Sequence, residues 1–258
     1  MEIPVLQSSS VASGKPLVLL HAFPLSHGIW KDLIPPAGYS LILPDFPGFG
    51  DSPLASPGLT LADAAKGFEN HLQEKGITKP FVLGGISMGG YWAMEYLRQF
   101  PERVSRVLLI STRAGVDKPE GRQNRLNMAE KVLREGTEFL IQSMIPGLLG
   151  KTTLSDKSEV LNQVSQWIRN TNPKAVALAQ RAMADRRDQT EFLPELKVPT
   201  LILAGREDTL IPFSEAEAMA KAIPNSKLRI LERVGHLIPL EDPPSFQKIV
   251  DEFLRKTA

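Results

Sequence analysis

An α/β domain with a mostly parallel sheet, interrupted by a helical insertion, is the fold that the sequence predicts. Three observations carry that prediction. Short branched-aliphatic runs alternate with longer amphipathic ones through residues 1–115; the alternation returns over residues 192–258; and residues 116–191 are charged and helical in pattern, with no strand-like run. Residues 1–115 and 192–258 are assigned to one core domain and residues 116–191 to an insertion within it.

Each element follows in order. "PLVLL" (Pro16 to Leu20), "SLILP" (Ser40 to Pro44), "FVLGGI" (Phe81 to Ile86) and "VSRVLLI" (Val104 to Ile110) are strand-length and apolar enough for burial on both faces, as in parallel sheets. In "TLADAAKGFENHLQEKG", Leu61, Ala65, Phe68 and Leu72 recur at helical spacing, with Thr60 placed to cap the start and Gly76 the end. A helix from Tyr91 to Phe100 stops before Pro101. Within the insertion, "PGLLGKTT" and "NTNP" are breaks between helices. Beyond it come the strand "PTLILAG", a helix from Ser214 to Ile223 with a capping box of Ser214 and Glu217, the strand "KLRILE", and a last helix from about Pro244 to Lys256.

Composition narrows the function classes. With 258 residues and 42% hydrophobic content, the chain can bury a large core. Lysine plus arginine (30) and aspartate plus glutamate (29) nearly cancel, so no net field draws nucleic acid or an anionic membrane. There is no cysteine, which removes disulfides, thiolate nucleophiles and cysteine-ligated zinc. "MEIPVLQSSS" has no signal-peptide pattern, and no apolar run approaches the roughly 20 residues of a membrane span. A cytoplasmic location is expected.

The chemistry centres on Gly85-Ile86-Ser87-Met88-Gly89, a GxSxG pattern with a strand before it and a helix after it. Such a turn holds the serine at its apex, and the glycines admit neighbouring backbone. Taken alone, the pattern also fits a tightly packed strand-to-helix turn with no chemistry. Serine needs a base, and a base needs an orienting carboxylate. Asp208 follows the "LILAG" strand in "GREDTLIP", and His236 follows the next in "VGHLIPLEDP". Both fall on loops at the edge expected for Ser87, in the chain order Ser, Asp, His. The developing oxyanion needs donors, and "HAFP" after the first strand would set the Phe23 N–H beside that of Met88. His21 in that segment is expected to fix the loop rather than to transfer protons.

"HAFP", "DFPGFGDS" (Asp45 to Ser52), "GISMGG", "GREDTLIP" and "GHLIPLEDP", in this order, resemble the α/β-hydrolase fold superfamily over nearly the whole chain. The small esterase, enol-lactonase and cofactor-free haloperoxidase branch is most similar. The resemblance implies an eight-stranded, mostly parallel sheet flanked by helices, a helical cap formed by residues 116–191, and an acyl-enzyme mechanism on a carboxylic ester. Enol-lactone opening, carbon–carbon bond hydrolysis and perhydrolysis can run on the same triad, and a non-catalytic ligand receptor on this scaffold is a further alternative. Ala22 stands where the family's "HGFP" has glycine. Monomers and homodimers both occur in the family.

The remaining residues invite weaker readings. Asp45 is expected to bond local backbone, His71 to lie at the surface, and His27 has no partner visible in sequence. No metal-ligand spacing and no GxGxxG occur, so neither metal nor nucleotide cofactor is expected. Met128, Phe139, Met144, Leu148 and Trp167 could line an acyl cavity or form the insertion's own core. Arg113, Arg122, Arg125, Arg181, Arg186 and Arg187 could hold a substrate carboxylate or make a solvated face.

Overall fold

The computed structural model describes residues 14–255. Its strands are β1 (Lys15–Leu20), β2 (Tyr39–Ile42), β3 (Phe81–Ile86), β4 (Val104–Ile110), β5 (Thr200–Gly205) and β6 (Ser226–Leu231). They form one sheet in the order β2-β1-β3-β4-β5-β6, and every pairing is parallel. Six strands among the described residues, rather than eight, correct the expected count. From β1 to β2 the chain passes through loops and one 3-10 turn (His27–Trp30), so no further strand forms there, and β2 and β6 are the edges. The segment preceding residue 14, including "MEIPVLQSSS", lies outside the described residues.

Helices flank the sheet. Between β2 and β3 lies α1 (Leu61–Glu74), which opens on a complete capping box: Thr60 Oγ1 accepts from the Asp63 N–H at 3.0 Å and Asp63 accepts from the Thr60 N–H at 3.1 Å. Gly76 closes it at φ +72°, a conformation that suits glycine. α2 (Met88–Gln99) starts three residues earlier than its amphipathic pattern suggested, directly after Ser87. α1 and α2 pack on each other, and Trp92 of α2 meets Phe68 and Phe46 at ring separations of 5.7 and 5.5 Å. Burial of such aromatic side chains contributes on the order of 2–3 kcal/mol each.

After β4 the chain leaves the sheet for α3 (Pro119–Glu135), α4 (Glu138–Leu148), α5 (Lys151–Asp156), α6 (Ser158–Asn170) and α7 (Pro173–Ala184). α3 packs along α7, and α4 along α6. The sheet resumes with β5, α8 (Phe213–Ala222), β6, α9 (Ile238–Glu241) and α10 (Pro243–Arg255). The expected Ser214–Glu217 capping box does not form: Pro212 is the N-cap and α8 begins at Phe213. The preceding loop sets that start, because Asp208 Oδ1 accepts from the N–H groups of both Leu210 and Ile211 at 2.9 Å. Arg106 on β4 ties α10 to the sheet through the Leu254 carbonyl at 3.0 Å. Among the described residues no helix is long and apolar enough to cross a membrane.

Strand order positions the site. β2 lies on one side of β1 and β3 on the other, so the chain reverses its direction of winding between β1 and β3, the place where open α/β sheets leave a crevice at their carboxyl ends. Leu20 of β1 pairs with Gly85 of β3, so residues 21–23 and 86–88 emerge side by side.

Candidate active site

Ser87 sits at the end of β3 with φ 56° and ψ −114°, a backbone region that non-glycine residues rarely occupy. Holding it there costs on the order of 1–3 kcal/mol. Surrounding bonds enforce the turn: the Ser87 N–H donates to the Ile110 carbonyl at 2.9 Å, and Thr112 Oγ1 donates to the Ser87 carbonyl at 2.9 Å. The flanking glycines are required by close approach. A Cβ on Gly85 would lie 2.1 Å from the Gly89 carbonyl oxygen, and one on Gly89 would lie 2.2 Å from that of Leu20. Gly85→Ala should therefore destabilise the fold by about 3 kcal/mol through overpacking. In urea unfolding its midpoint should fall, while that of Gly115→Ala, whose added Cβ meets nothing within 4 Å, stays near wild type.

The two loops beyond β5 and β6 bring Asp208 and His236 together. His236 Nδ1 lies 2.7 Å from Asp208 Oδ2, and both side chains are buried. The carboxylate can only accept, so Nδ1 carries a proton, and in the neutral imidazole Nε2 then carries the lone pair. Nε2 is itself buried and has no hydrogen-bond partner among the described residues. Asp208 Oδ1 is filled by the two loop N–H donors already described, so this carboxylate is held at both oxygens.

Ser87 opens onto a cavity of about 260 Å³ that Phe23 also lines. Met88, the first residue of α2, has one of the N–H groups that no carbonyl within the helix can accept. Met128 and Met144 line the cavity, whereas Leu148 is core, Phe139 packs partly buried against the core, and Trp167 borders a separate cleft beside "DFPGFGDS". Of the six arginines, Arg113 and Arg125 reach the cavity. Arg122 and Arg181 are exposed and paired with Asp185 and Glu130, and Arg187 lies 3.9 Å from Glu95.

Asp117 organises this wall. Arg125 Nε and Arg186 Nη1 donate to its Oδ2 at 2.6 and 2.5 Å, and Arg113 pairs with its Oδ1. Burial alone would raise the Asp117 carboxyl, but the hydrogen bonds and charges of Arg186 and Arg125 hold it far below the ordinary carboxylate range. Asp117 was not visible as a site residue, because two of its partners lie 8 and 69 positions away in the chain.

Glu241 was also missed. It is buried, and its carboxylate accepts from the Gly235 N–H at 3.0 Å and the Leu237 N–H at 2.9 Å, on either side of His236. It also accepts from the Gly150 N–H at 2.8 Å and Thr153 Oγ1 at 2.7 Å, joining the histidine loop to the start of α5. The "GHLIPLEDP" motif contains this residue, but only the fold shows where its carboxylate turns.

The other histidines serve the loops. His21 Nδ1 donates to the Ala22 carbonyl at 3.0 Å and Nε2 accepts from the Phe46 N–H at 2.9 Å, which joins "HAFP" to "DFPGFGDS". Burial pushes its imidazole below its ordinary range, so it stays neutral. His71 is half-buried rather than at the surface. His27 does have a partner, Asp45, which accepts from its backbone N–H at 2.6 Å and its Nδ1 at 2.7 Å, and from the Asp51 N–H at 3.2 Å. The Asp45 hydrogen bond raises the His27 imidazole above its ordinary 6.5. A value raised by folding means that protonated His27 stabilises the fold fully below the unfolded pKa and ceases to do so as pH rises through the folded one. His27→Asn should then lower the melting temperature at pH 6 and have a smaller effect at pH 9. Among the described residues no group of three or more His, Asp or Glu is placed to hold a metal ion.

A parallel sheet with a serine strained at the end of a central strand, and an Asp–His pair on loops at the same edge, defines a class. The chain belongs to the alpha/beta hydrolase fold family, which it matches over residues 15–243. A thermophilic esterase from Thermogutta terrifontis, solved with malate bound, is similar over 99% of both chains at 35% identity, with a TM-score of 0.92. The 2-hydroxy-6-oxo-6-phenylhexa-2,4-dienoate hydrolase of Burkholderia cepacia is 27% identical, over 95% of this chain and 90% of its own. A pimeloyl-acyl-carrier-protein methyl ester esterase of Legionella pneumophila (strain Paris) is 28% identical, over 94% of this chain and 96% of its own.

Proposed function

We propose that the protein is a serine hydrolase of carboxylic esters. The observation that carries this reading is the Asp208-anchored His236, its Nε2 unbonded, at the strand edge where Ser87 is held in a strained turn over a cavity. Ser87 Oγ attacks the ester carbonyl as His236 Nε2 takes its proton, and the N–H groups of Phe23 and Met88 bind the oxyanion. Collapse expels the alcohol, which takes the proton from His236. Water then attacks the acyl-enzyme with the same base, releasing the acid and restoring Ser87. Asp208 keeps the imidazole in the required tautomer and steadies the imidazolium. Residues 116–191 act as a cap, since Met128, Met144 and Arg125 from it line the cavity.

The names of the Thermogutta and Legionella relatives, both esterases, support ester cleavage. Carbon–carbon bond hydrolysis is the second reading, on the likeness to the Burkholderia enzyme. Intact-mass analysis after fluorophosphonate treatment tests the nucleophile: one adduct is expected on wild type and none on Ser87→Ala. A folded wild-type protein that takes no adduct would refute it. Turnover of p-nitrophenyl esters and lactones, against vinylogous diketones, then separates ester from carbon–carbon chemistry.

A further inference from the structure

Part of the cavity lining is cationic, and the lining carries no acid. Arg113 and Arg125 both line it, with Asn124 and Gln180 beside them, and no aspartate or glutamate is among the lining residues. Their countercharge is Asp117, which they share with Arg186. Three guanidinium groups on one carboxylate leave an excess of positive charge in this cluster. Arg113 and Arg125 keep 26% and 20% of their side-chain surface exposed, against 3% for Arg186, so these two guanidinium groups can be reached from the cavity. A guanidinium carries five N–H donors in a fixed fork, and a second carboxylate is the partner that suits those Asp117 does not take. Gln180 Oε1 braces Arg125 Nη1 at 3.1 Å, so this side chain is held in place before any ligand arrives.

Size bounds the ligand. A cavity of about 260 Å³ suits a short acyl chain rather than a long lipid tail. Resting on the ester-hydrolase reading, we infer that the substrate is a short ester bearing a free carboxylate. Its carbonyl sits at Ser87 and its carboxylate is held by Arg113 and Arg125. The apolar linker between them lies against Met128, Met144 and Met183, which can adapt to its length.

The test separates binding from turnover. Ser87→Ala protein is titrated calorimetrically, at fixed ionic strength, with monomethyl glutarate, with dimethyl glutarate, and with 3-acetoxypropanoate against its methyl ester. At least one carboxylate form should bind about tenfold or more tightly than its neutral counterpart, as charge-assisted pairing requires. The first pair places the carboxylate on the acyl limb and the second on the alcohol limb, so the preferred pair tells which limb points at the arginines. Arg113→Gln and Arg125→Gln in the same background should bring that ratio towards one, while Arg134→Gln, on an exposed side chain, should leave it unchanged. Equal affinity for both members of both pairs would overturn the inference without needing any arginine variant. Wild-type kinetics keep the two readings apart. Ester turnover with no carboxylate preference removes the subsite and leaves the hydrolase; carboxylate-selective binding with no ester turnover does the reverse.

Discussion

Ser87→Ala is expected to lower kcat for ester hydrolysis by about a millionfold, the loss seen when the nucleophile of a comparable triad is removed. Stability should not follow. Alanine at φ 56° is as strained as serine, so the melting temperature should stay close to wild type, while Ser87→Gly, free of that strain, should raise stability by about 1 kcal/mol. A serine kept only for packing would show the opposite pattern, with activity retained in Ser87→Ala. Asp208→Asn belongs to the same experiment. It keeps the shape of the side chain but presents an amide to His236 Nδ1, and a loss of about 10⁴-fold in kcat is expected from the wrong tautomer.

Glu241→Ala should have the largest effect on stability. It leaves the N–H groups of Gly150, Gly235 and Leu237 without their acceptor in a buried place, at roughly 1–3 kcal/mol for each unsatisfied group. Because the backbone can relax and water can enter, a total near 4 kcal/mol is expected, lowering the melting temperature by on the order of 10 °C in a chain of this size. The close approach here leaves little slack: a Cβ on Gly235 would lie 2.1 Å from the Gly150 nitrogen. Two of the bonds bracket His236, so kcat of the folded fraction should also fall. Glu241→Gln keeps one acceptor oxygen and should be intermediate in both respects. If Glu241→Ala is destabilised but its folded fraction turns over normally, Glu241 holds the loop without positioning the histidine.

Much of the core was legible because its signals are local. β3 and β4 occupy the ranges read from their branched-aliphatic runs, and α1 starts and stops at the cap and glycine that mark its ends. At Ser214 the local capping signal was overridden: the loop folded around Asp208 starts α8 one residue earlier, at Phe213. In residues 116–191 the breaks "PGLLGKTT" and "NTNP" fall at the junctions of α4 with α5 and of α6 with α7, whereas the pairing of α3 with α7 and of α4 with α6 joins helices that do not follow one another in the chain and carries no local signal.

Ser87, Asp208 and His236 could be proposed from sequence since each sits just beyond a strand, and parallel strands deliver their carboxyl ends to one edge. Sequence alone therefore determined the α/β class, the family resemblance and the residues proposed for the chemistry. Tertiary structure alone decided the strand count, that Arg113 and Arg125 rather than the other four arginines face the cavity, that His27 pairs with Asp45, and that Glu241 grips both sides of His236. The division has a physical basis: strand and helix signals depend on residues within a few positions of each other, whereas Glu241 meets Gly150 across 91 positions and Arg186 meets Asp117 across 69, contacts that exist only once the chain has folded back on itself.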